Sequence, residues 1–480
     1  MKRYILTILF LLTLLLPAYG AGNKPVLRMV TSANFPPYEF HDNNTIVGID
    51  VDIVREIAKR NNFDLLIEDM KFDSIIAAVQ TGKGDIAASA ITVTEDRKKM
   101  VDFSIPYVTS RQVIIVPGDS LIDSGKVLKG KRIGVQHGTT GDNYVTENIG
   151  EPQRYDDASM AITALLKGKL DAVVLDYEPS QVHAAKNPAL KILEEPLFFE
   201  EYAFAVAKGR GELLAVINQT LSQLKKDGVL TEIRKKYEKH TEEVVKNVTE
   251  EKYTGIAGDF YTNFVKDSRW QYLVDGFYVT IAVAVSSVLF GVLIGFVVAV
   301  IRSTADQTGK LKIANFFCRL YLTVIRGTPV VLQLLIIYFV VFGSVDVDKV
   351  LVAIIAFGIN SGAYVAEIIR SGIMSVDRGQ MEAGRSLGFS YLQTMNLIIL
   401  PQAFKNVLPA LGNEFIVLLK ETSVCGFIAL QDLTKGGDII RSQTYNAFMP
   451  LIAVALIYLL LVVIFSKLLE ILEKRLKRNE

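Results

Sequence analysis

From Gly276 onward the chain holds long runs with almost no charged residue, whereas charge is spread densely through Arg28–Lys252. That break constrains the fold more than any other feature. A bilayer's hydrocarbon core is about 30 Å thick and takes about 20 apolar residues as a helix, and only helices or closed barrels satisfy their own backbone there. The sequence therefore reads as a soluble domain followed by a helical membrane domain, and 480 residues exceed what one compact core organises. The 50% hydrophobic composition averages two unlike halves. A net charge of +1 gives no support for a nucleic-acid partner, which leaves a basic surplus or stripe.

The N-terminus begins with Lys2 and Arg3, then an apolar run from Tyr4 to Leu16, then Pro17, Ala18, Tyr19 and Gly20. This order describes a secretory signal over residues 1–20; an uncleaved anchor helix is the other reading. Either sends the next domain out of the cytoplasm. The cysteines, Cys318 and Cys425, both fall in the apolar half, so the exported domain has no disulfide framework and no Cys-based zinc site.

Over residues 25–238 short β-rich runs alternate with helical segments. Val26–Val30, Asp85–Ala90, Gln112–Val116, Arg132–Val135, Ala172–Leu175 and Tyr202–Ala207 read as strands. Asp50–Arg60, Phe72–Gln80, Ala158–Leu166 and Gly211–Lys226 read as helices. That alternation predicts α/β layers with mostly parallel sheets. A Gly-Lys followed by Gly-Asp or Leu-Asp recurs at Gly82–Asp85 and Gly168–Asp171, which predicts two similar lobes with a cleft between them.

The segments Asn34-Phe35-Pro36-Pro37-Tyr38-Glu39-Phe40, Gly48-Ile49-Asp50-Val51-Asp52 and Ala90-Ile91-Thr92-Val93-Thr94-Glu95-Asp96-Arg97 carry a resemblance, as do Asp102-Phe103-Ser104, Gly138-Thr139-Thr140-Gly141 and Leu175-Asp176-Tyr177. Together and in this order they resemble the polar amino-acid-binding proteins of bacterial uptake systems, extracellular solute-binding family 3. The resemblance covers Val26–Tyr237 and implies a type II periplasmic-binding-protein fold. It also implies roles. Arg97 would hold the carboxylate of a free amino acid through two parallel charge-assisted bonds, which lysine cannot reproduce. Thr92, the backbone at Ala90, and Thr139 and Thr140 would add donors to the same anion. Asp176, from the second lobe, would hold the ammonium. Phe35 and Phe72 would pack on the aliphatic part, and Ser32 and Gln136 fall where side-chain specificity is commonly set. An acidic residue is common at the position of Ser32 in relatives that take cationic or amide amino acids, so the serine counts against lysine, arginine or histidine as the preferred cargo without excluding them.

Plainer readings exist for the same residues. Arg97 sits in the charged run Glu95–Lys99, which a solvated helix start also explains. Asp176 could cap the helix after it, and Phe35 and Phe72 could belong to the core. Asp50 and Asp52, at a helix start, are expected to cap and to complement the helix dipole rather than to form a site.

Residues 239–270 read as a linker: Thr241–Glu251 as a hydrated tether, and Phe260–Trp270, with its aromatic residues, as a segment lying at the bilayer surface. Over residues 271–480 five membrane segments are expected, near Leu273–Ile301, Ile313–Phe342, Val350–Ile373, Phe404–Leu430 and Phe448–Leu469. Arg326-Gly327-Thr328-Pro329 should break or kink the second. With the binding domain outside, five crossings place the C-terminus in the cytoplasm. Cations agree: Arg302, Lys310 and Lys312 follow the first span, Arg370, Arg378 and Arg385 the third, and Lys474, Arg475, Lys477 and Arg478 close the chain.

Between the third and fourth segments, Glu382-Ala383-Gly384-Arg385-Ser386-Leu387-Gly388-Phe389 and Ile399-Leu400-Pro401 resemble the cytoplasmic coupling loop of ABC importer permeases. Arg326–Pro329, Ala366–Arg370 and Lys420–Ser423 narrow the resemblance to the histidine/glutamine permease type. It implies that Glu382, Ala383 and Gly388 meet a separate ATPase. Gly384 stands where a second alanine is usual, which is expected to loosen the helix by about 1 kcal/mol. Asn360, Glu367, Lys420 and Glu421 lie in or beside spans, where such groups pair for structure or line a path.

No Gly-x4-Gly-Lys-Ser/Thr pattern occurs, so the ATPase is expected on another chain, in two copies, with no cofactor in this one. The expected protein is the fused binding and permease subunit of an ATP-driven amino-acid importer in the cell membrane. One coupling loop per chain implies a second permease half, as a homodimer or with a relative. A ligand-gated channel of the glutamate-receptor class also joins such a domain to membrane helices, but there the membrane segments interrupt the binding domain. An enzyme of the same two-lobed fold would need an acid or base that His41, His137, His183 and His240 do not supply in any recognisable pattern, so no catalytic residue and no metal ligand is expected.

Overall fold

The computed structural model describes residues 24–477 except 43–44, 250–254, 344, 346, 445 and 447; the stretch read as a signal lies outside the described residues. Among the described residues the strands run β1 Val26–Thr31, β2 Asn34–Phe35, β3 Glu39–Asp42, β4 Thr45–Val47, β5 Asp64–Asp69, β6 Ile86–Ala87, β7 Val101–Phe103, β8 Val108–Pro117, β9 Ile133–Gln136, β10 Gln153–Tyr155, β11 Ala172–Asp176, β12 Leu190–Tyr202 and β13 Ala205–Ala207. They form a first-lobe sheet in the order β5-β1-β6-β13-β7, a second-lobe sheet β10-β9-β11-β8-β12, and a small β2-β3-β4 sheet. The chain crosses between lobes after β7 and returns after β12.

The sheets are mixed rather than mostly parallel. β1 pairs in parallel with β5 and β6, but β13 returns antiparallel to β6 and β7. In the second lobe β9 is parallel to β10 and β11, while β8 runs antiparallel to β11 and β12. The antiparallel strands are those next to the crossings, where the chain reverses between sheets instead of passing through a helix. The sequence repeat does the same work in each lobe: Asp85 accepts from the Arg28 N–H at 2.9 Å and Asp171 from the Arg132 N–H at 2.8 Å. Gly82 and Gly168 supply the left-handed turns before them, at φ 75° and 68°.

The helices Phe72–Gln80, Ala158–Leu166 and Gly211–Lys226 stand where the periodicity places them. Helix Val229–Thr249 overrides the tether expected from Thr241 onward. Ile233 and Tyr237 anchor its start in the first-lobe core, the Tyr237 hydroxyl donates to Asp52 at 2.9 Å, and a Lys- and Glu-rich continuation favours propagating the helix. The Phe260–Trp270 stretch is helical as well, in short pieces: Gly255–Phe260, a wide turn at Tyr261–Val265 and a tight one at Lys266–Ser268.

The second half is helical. Among the described residues, three helices are long and apolar enough to cross a membrane, within Trp270–Asp306, Lys349–Ser375 and Phe448–Arg475. Lys312–Arg326 and Val330–Val341 make a fourth span if taken together across a 109° bend. The bend falls at Gly327–Pro329, where Gly327 ends the first helix and Pro329, which has no backbone N–H to donate, caps the second. Leu400–Glu421 is a further long helix, with Pro409 inside it.

The binding lobes rest on one end of this helical domain. Lys349 pairs with Glu68 at 2.8 Å and the Lys83 ammonium donates to the Val345 carbonyl at 2.8 Å. Helix Lys349–Ser375 leads from that contact through 27 residues, about 40 Å, towards helix Arg378–Ser386.

Candidate functional site

A cavity between the lobes is lined by Phe35, Phe72, Ala90, Thr92, Arg97, Gln136, Thr139, Thr140 and Asp176, with Ser32, Asn34, Glu39 and Ser89. All nine residues singled out from sequence as substrate-binding therefore meet in one place, from both lobes. Arg97 leaves helix Glu95–Met100, whose start is capped by the Thr94 hydroxyl accepting from the Arg97 N–H at 3.2 Å. Its guanidinium spans the cleft, donating to the Thr92 carbonyl at 2.9 Å and, in the other lobe, to the Gly138 carbonyl at 3.0 Å. It lies over the Phe72 ring, 5.5 Å from the centroid. Phe72 is thus at the cleft edge, and Phe35, 8% exposed, is shared between cleft and core.

Asp176 ends β11 at the start of helix Tyr177–Lys186, yet its side chain caps nothing. It turns into the cleft and accepts from the Tyr202 hydroxyl. Burial, and then the neighbouring Glu200 carboxylate, push its pKa well up. Glu200, on β12, ties the lobes together: Thr92 and Thr140 both donate to it at 2.7 Å, and the Gln112 amide at 2.8 Å. The two hydroxyl protons expected for a bound carboxylate are thus engaged on Glu200, which leaves Arg97 and backbone N–H groups as anion donors. Helix Thr140–Asn148, capped by Thr139, presents its N-terminal end here.

Glu39 and Asp50 were not read from sequence as parts of this site. Asp50 is wholly buried and caps nothing; the N-cap is Gly48. Its carboxylate accepts from the Ala90 N–H at 2.8 Å and the Tyr107 hydroxyl. It thereby holds Ala90 in a left-handed conformation, φ 44°, that a non-glycine residue rarely adopts. Burial raises Asp50 to about 7 against those two donors. Glu39 is also wholly buried; one oxygen accepts from Ser89 at 2.8 Å and the other has no hydrogen-bond partner. Burial, then the Asp50 charge, drive its pKa well up. Its only sequence signal is its place inside the Asn34–Phe40 motif. Ser32, expected to set specificity, donates to Asn34 at 3.3 Å.

At the far end of the helical domain, Glu382 and Ala383 are exposed on helix Arg378–Ser386, and Gly388 makes a left-handed turn at φ 89°. Gly384 does not loosen this helix. A Cβ there would come within 2.5 Å of the Thr394 methyl and 3.0 Å of Ile398, so glycine is what lets the helix seat on the chain that follows.

A two-lobed cleft for a small polar molecule, carried on a multi-pass helical domain, defines a solute-binding transport protein of the membrane. Residues 27–240 match the bacterial extracellular solute-binding proteins, family 3, and residues 291–478 the binding-protein-dependent transport system inner membrane components. The arginine transport system permease protein ArtQ of Bacillus subtilis is 38% identical over 211 residues, 44% of this chain and 94% of that one. The glutamine transport system permease protein GlnP of Escherichia coli K12 is 36% identical over 208 residues, 43% and 93%. The structure of holo ArgBP from T. maritima is 43% identical, with a TM-score of 0.41, and covers 44% of this chain and 95% of that one. The chain belongs to the inner membrane components of binding-protein-dependent transport systems, with a family 3 solute-binding domain fused in front.

Proposed function

We propose that the chain takes up an amino acid, which Arg97 grips by its carboxylate and Asp176 by its ammonium as the lobes close. The observation that carries this reading is the convergence of these two opposite charges, one from each lobe, on a single cavity with an aromatic wall. The cargo's side chain ends in N–H donors and most favourably in a cation. Glu39 and Asp176 line the cavity with one arginine, Glu200 stands behind it as the acceptor of Thr92 and Thr140, and the unpartnered Glu39 oxygen calls for a donor. Glu39 supplies the acid that Ser32 does not. Relatives named for arginine and glutamine transport are consistent with this chemistry.

The domains divide at 25–238, 239–270 and 271–480. Helix Leu400–Glu421 completes five crossings, which puts the binding domain outside and the C-terminus in the cytoplasm. A separate ATPase, in two copies, meets Glu382, Ala383 and Gly388, and this chain itself hydrolyses nothing. Two permease halves, as a homodimer, enclose the path.

Titration calorimetry of the full chain against the twenty amino acids tests the cleft. Arginine or lysine should bind, and Arg97→Ala and Asp176→Ala should each weaken binding at least about a hundredfold, since each strands a buried charge. Unchanged affinity in either variant sinks the assignment.

A further inference from the structure

Three buried carboxyl groups gather at the cleft, and their surroundings set them apart. Asp50 has both oxygens engaged, by the Ala90 N–H and the Tyr107 hydroxyl, and stands behind the cavity wall. Asp176 lines the cavity, accepts from the Tyr202 hydroxyl, and stands where the ammonium of any amino acid is held. Glu39 lines it too, at 0% exposure. One of its oxygens takes the Ser89 hydroxyl at 2.8 Å and the other has no partner. Ser89 is itself held, accepting from the Ser32 N–H at 3.1 Å, so its hydroxyl stays on the first oxygen and the second is left for whatever fills the cavity. The groups around Glu39 bring no counter-charge. Asp50, Asp176 and Asp69 carry its own sign, with Glu200 beyond Asp176. Tyr38, Tyr107 and Tyr202 stay neutral, since burial pushes their hydroxyls further up. Of the nearby bases, Lys435 and His41 both bond to Asp69, and Arg97 donates to the Thr92 and Gly138 carbonyls. A bare carboxylate in such a place is far costlier than a neutral carboxylic acid.

We propose that Glu39 is a proton-exchange site that fits one cleft to two classes of cargo, keeping its proton against an amide side chain and releasing it to water when the side chain is a cation. With the proton on, the free oxygen donates O–H to the side-chain carbonyl of glutamine or asparagine. With the proton off, the carboxylate pairs with the guanidinium of arginine or the ammonium of lysine. Only the O–H bond breaks, the proton goes to solvent, and the incoming cation replaces its charge. The carboxylate and ammonium of the cargo are common to both classes, so any proton that Asp176 gives up is given up for both. The difference between the two cargoes therefore isolates Glu39. Its sign follows from linkage: acidification opposes proton release, so it weakens binding of the cationic cargo relative to the amide. The inference deepens the amino-acid reading of the cleft and rests on it.

Titration calorimetry of the full chain in two buffers of unlike ionisation enthalpy counts the protons released per ligand bound. At about pH 6, L-arginine should release about one proton more than L-glutamine. The ratio of their dissociation constants should move about tenfold towards glutamine for each pH unit of acidification between about 7 and 5. In Glu39→Gln the two ligands should release equal numbers of protons, and the ratio should stay level across that range. Equal release from both ligands in the unsubstituted chain overturns the exchange. So does a Glu39→Gln chain that keeps the difference, which would place the proton on another acid. If L-arginine alone binds, the same difference of about one proton must separate the unsubstituted chain from Glu39→Gln; if L-glutamine alone binds, the exchange falls. If neither binds, the amino-acid reading of the cleft falls and takes the exchange with it, whereas binding of both without the difference removes the exchange alone.

Discussion

At the scale of single residues, the site is shaped by buried acids more than by its one cation. Asp50 illustrates the sign. An aspartate ordinarily ionises near pH 3.9, whereas here burial moves it to about 7. Between those values the folded state holds a proton that the unfolded chain has released, so Asp50's contribution is complete below about pH 4 and is lost as pH rises through 7. The swing is on the order of 4 kcal/mol. Asp50→Asn should therefore leave a flatter stability profile from pH 4 to 7, as thermal unfolding of the full chain at several pH values would show; equal slopes in the two proteins count against the buried-proton account. Asp69 behaves oppositely. Burial would raise it, but the Lys435 ammonium and then His41 hold it low, so its contribution fades on acidification. Glu39→Gln should shift preference from cationic towards amide side chains by about tenfold, since a charged partner for a buried donor is worth more than a neutral one; an unchanged arginine-to-glutamine ratio would remove Glu39 from the specificity site. None of these acids announces its burial in the sequence. Glu200 sits in a run with Glu194, Glu195 and Glu201 that reads as solvated, and Asp50 looks like a helix start. Arg97 and Asp176 were legible because whole motifs surround them.

At the scale of elements, apolar spacing carried the reading furthest. Phe72–Gln80 and Ala158–Leu166 were legible to the residue because Ile75, Ala78 and Val79, or Ala161, Ile162 and Leu165, recur at helical spacing against a sheet. Val229–Thr249 and β5 were not. Charge in the first looks like a tether, and the second alternates too briefly beside Asn61 and Asn62 to stand out. The antiparallel crossings depend on partners far away in sequence, which no local pattern encodes. Helix Arg378–Ser386 tests a packing argument. Gly384→Ala adds a methyl group against Thr394 and Ile398 and should cost about 1–3 kcal/mol of local strain. Uptake in the complex with its ATPase should fall severalfold while amino-acid affinity stays unchanged; normal uptake would show that the neighbouring side chains absorb the methyl group.

At the scale of the whole molecule, three spans among the described residues are plain from length and apolarity, and the bent pair adds a fourth if taken as one. The pairing of halves has its own measurement. The chain solubilised with its ATPase should show the mass of two copies of each, and active particles containing a single copy would defeat the homodimer.

Fusion of the binder to its own membrane domain changes the arithmetic of delivery. A free binding protein must find the transporter by diffusion, and its abundance sets how often the transporter is visited. Here docking is an intramolecular event at an effective concentration on the order of millimolar. Making more chain multiplies whole machines rather than traffic at each one. Throughput per transporter is then set by how fast one tethered domain empties and refills, and competing amino acids are sorted at that domain rather than in a shared pool of carriers.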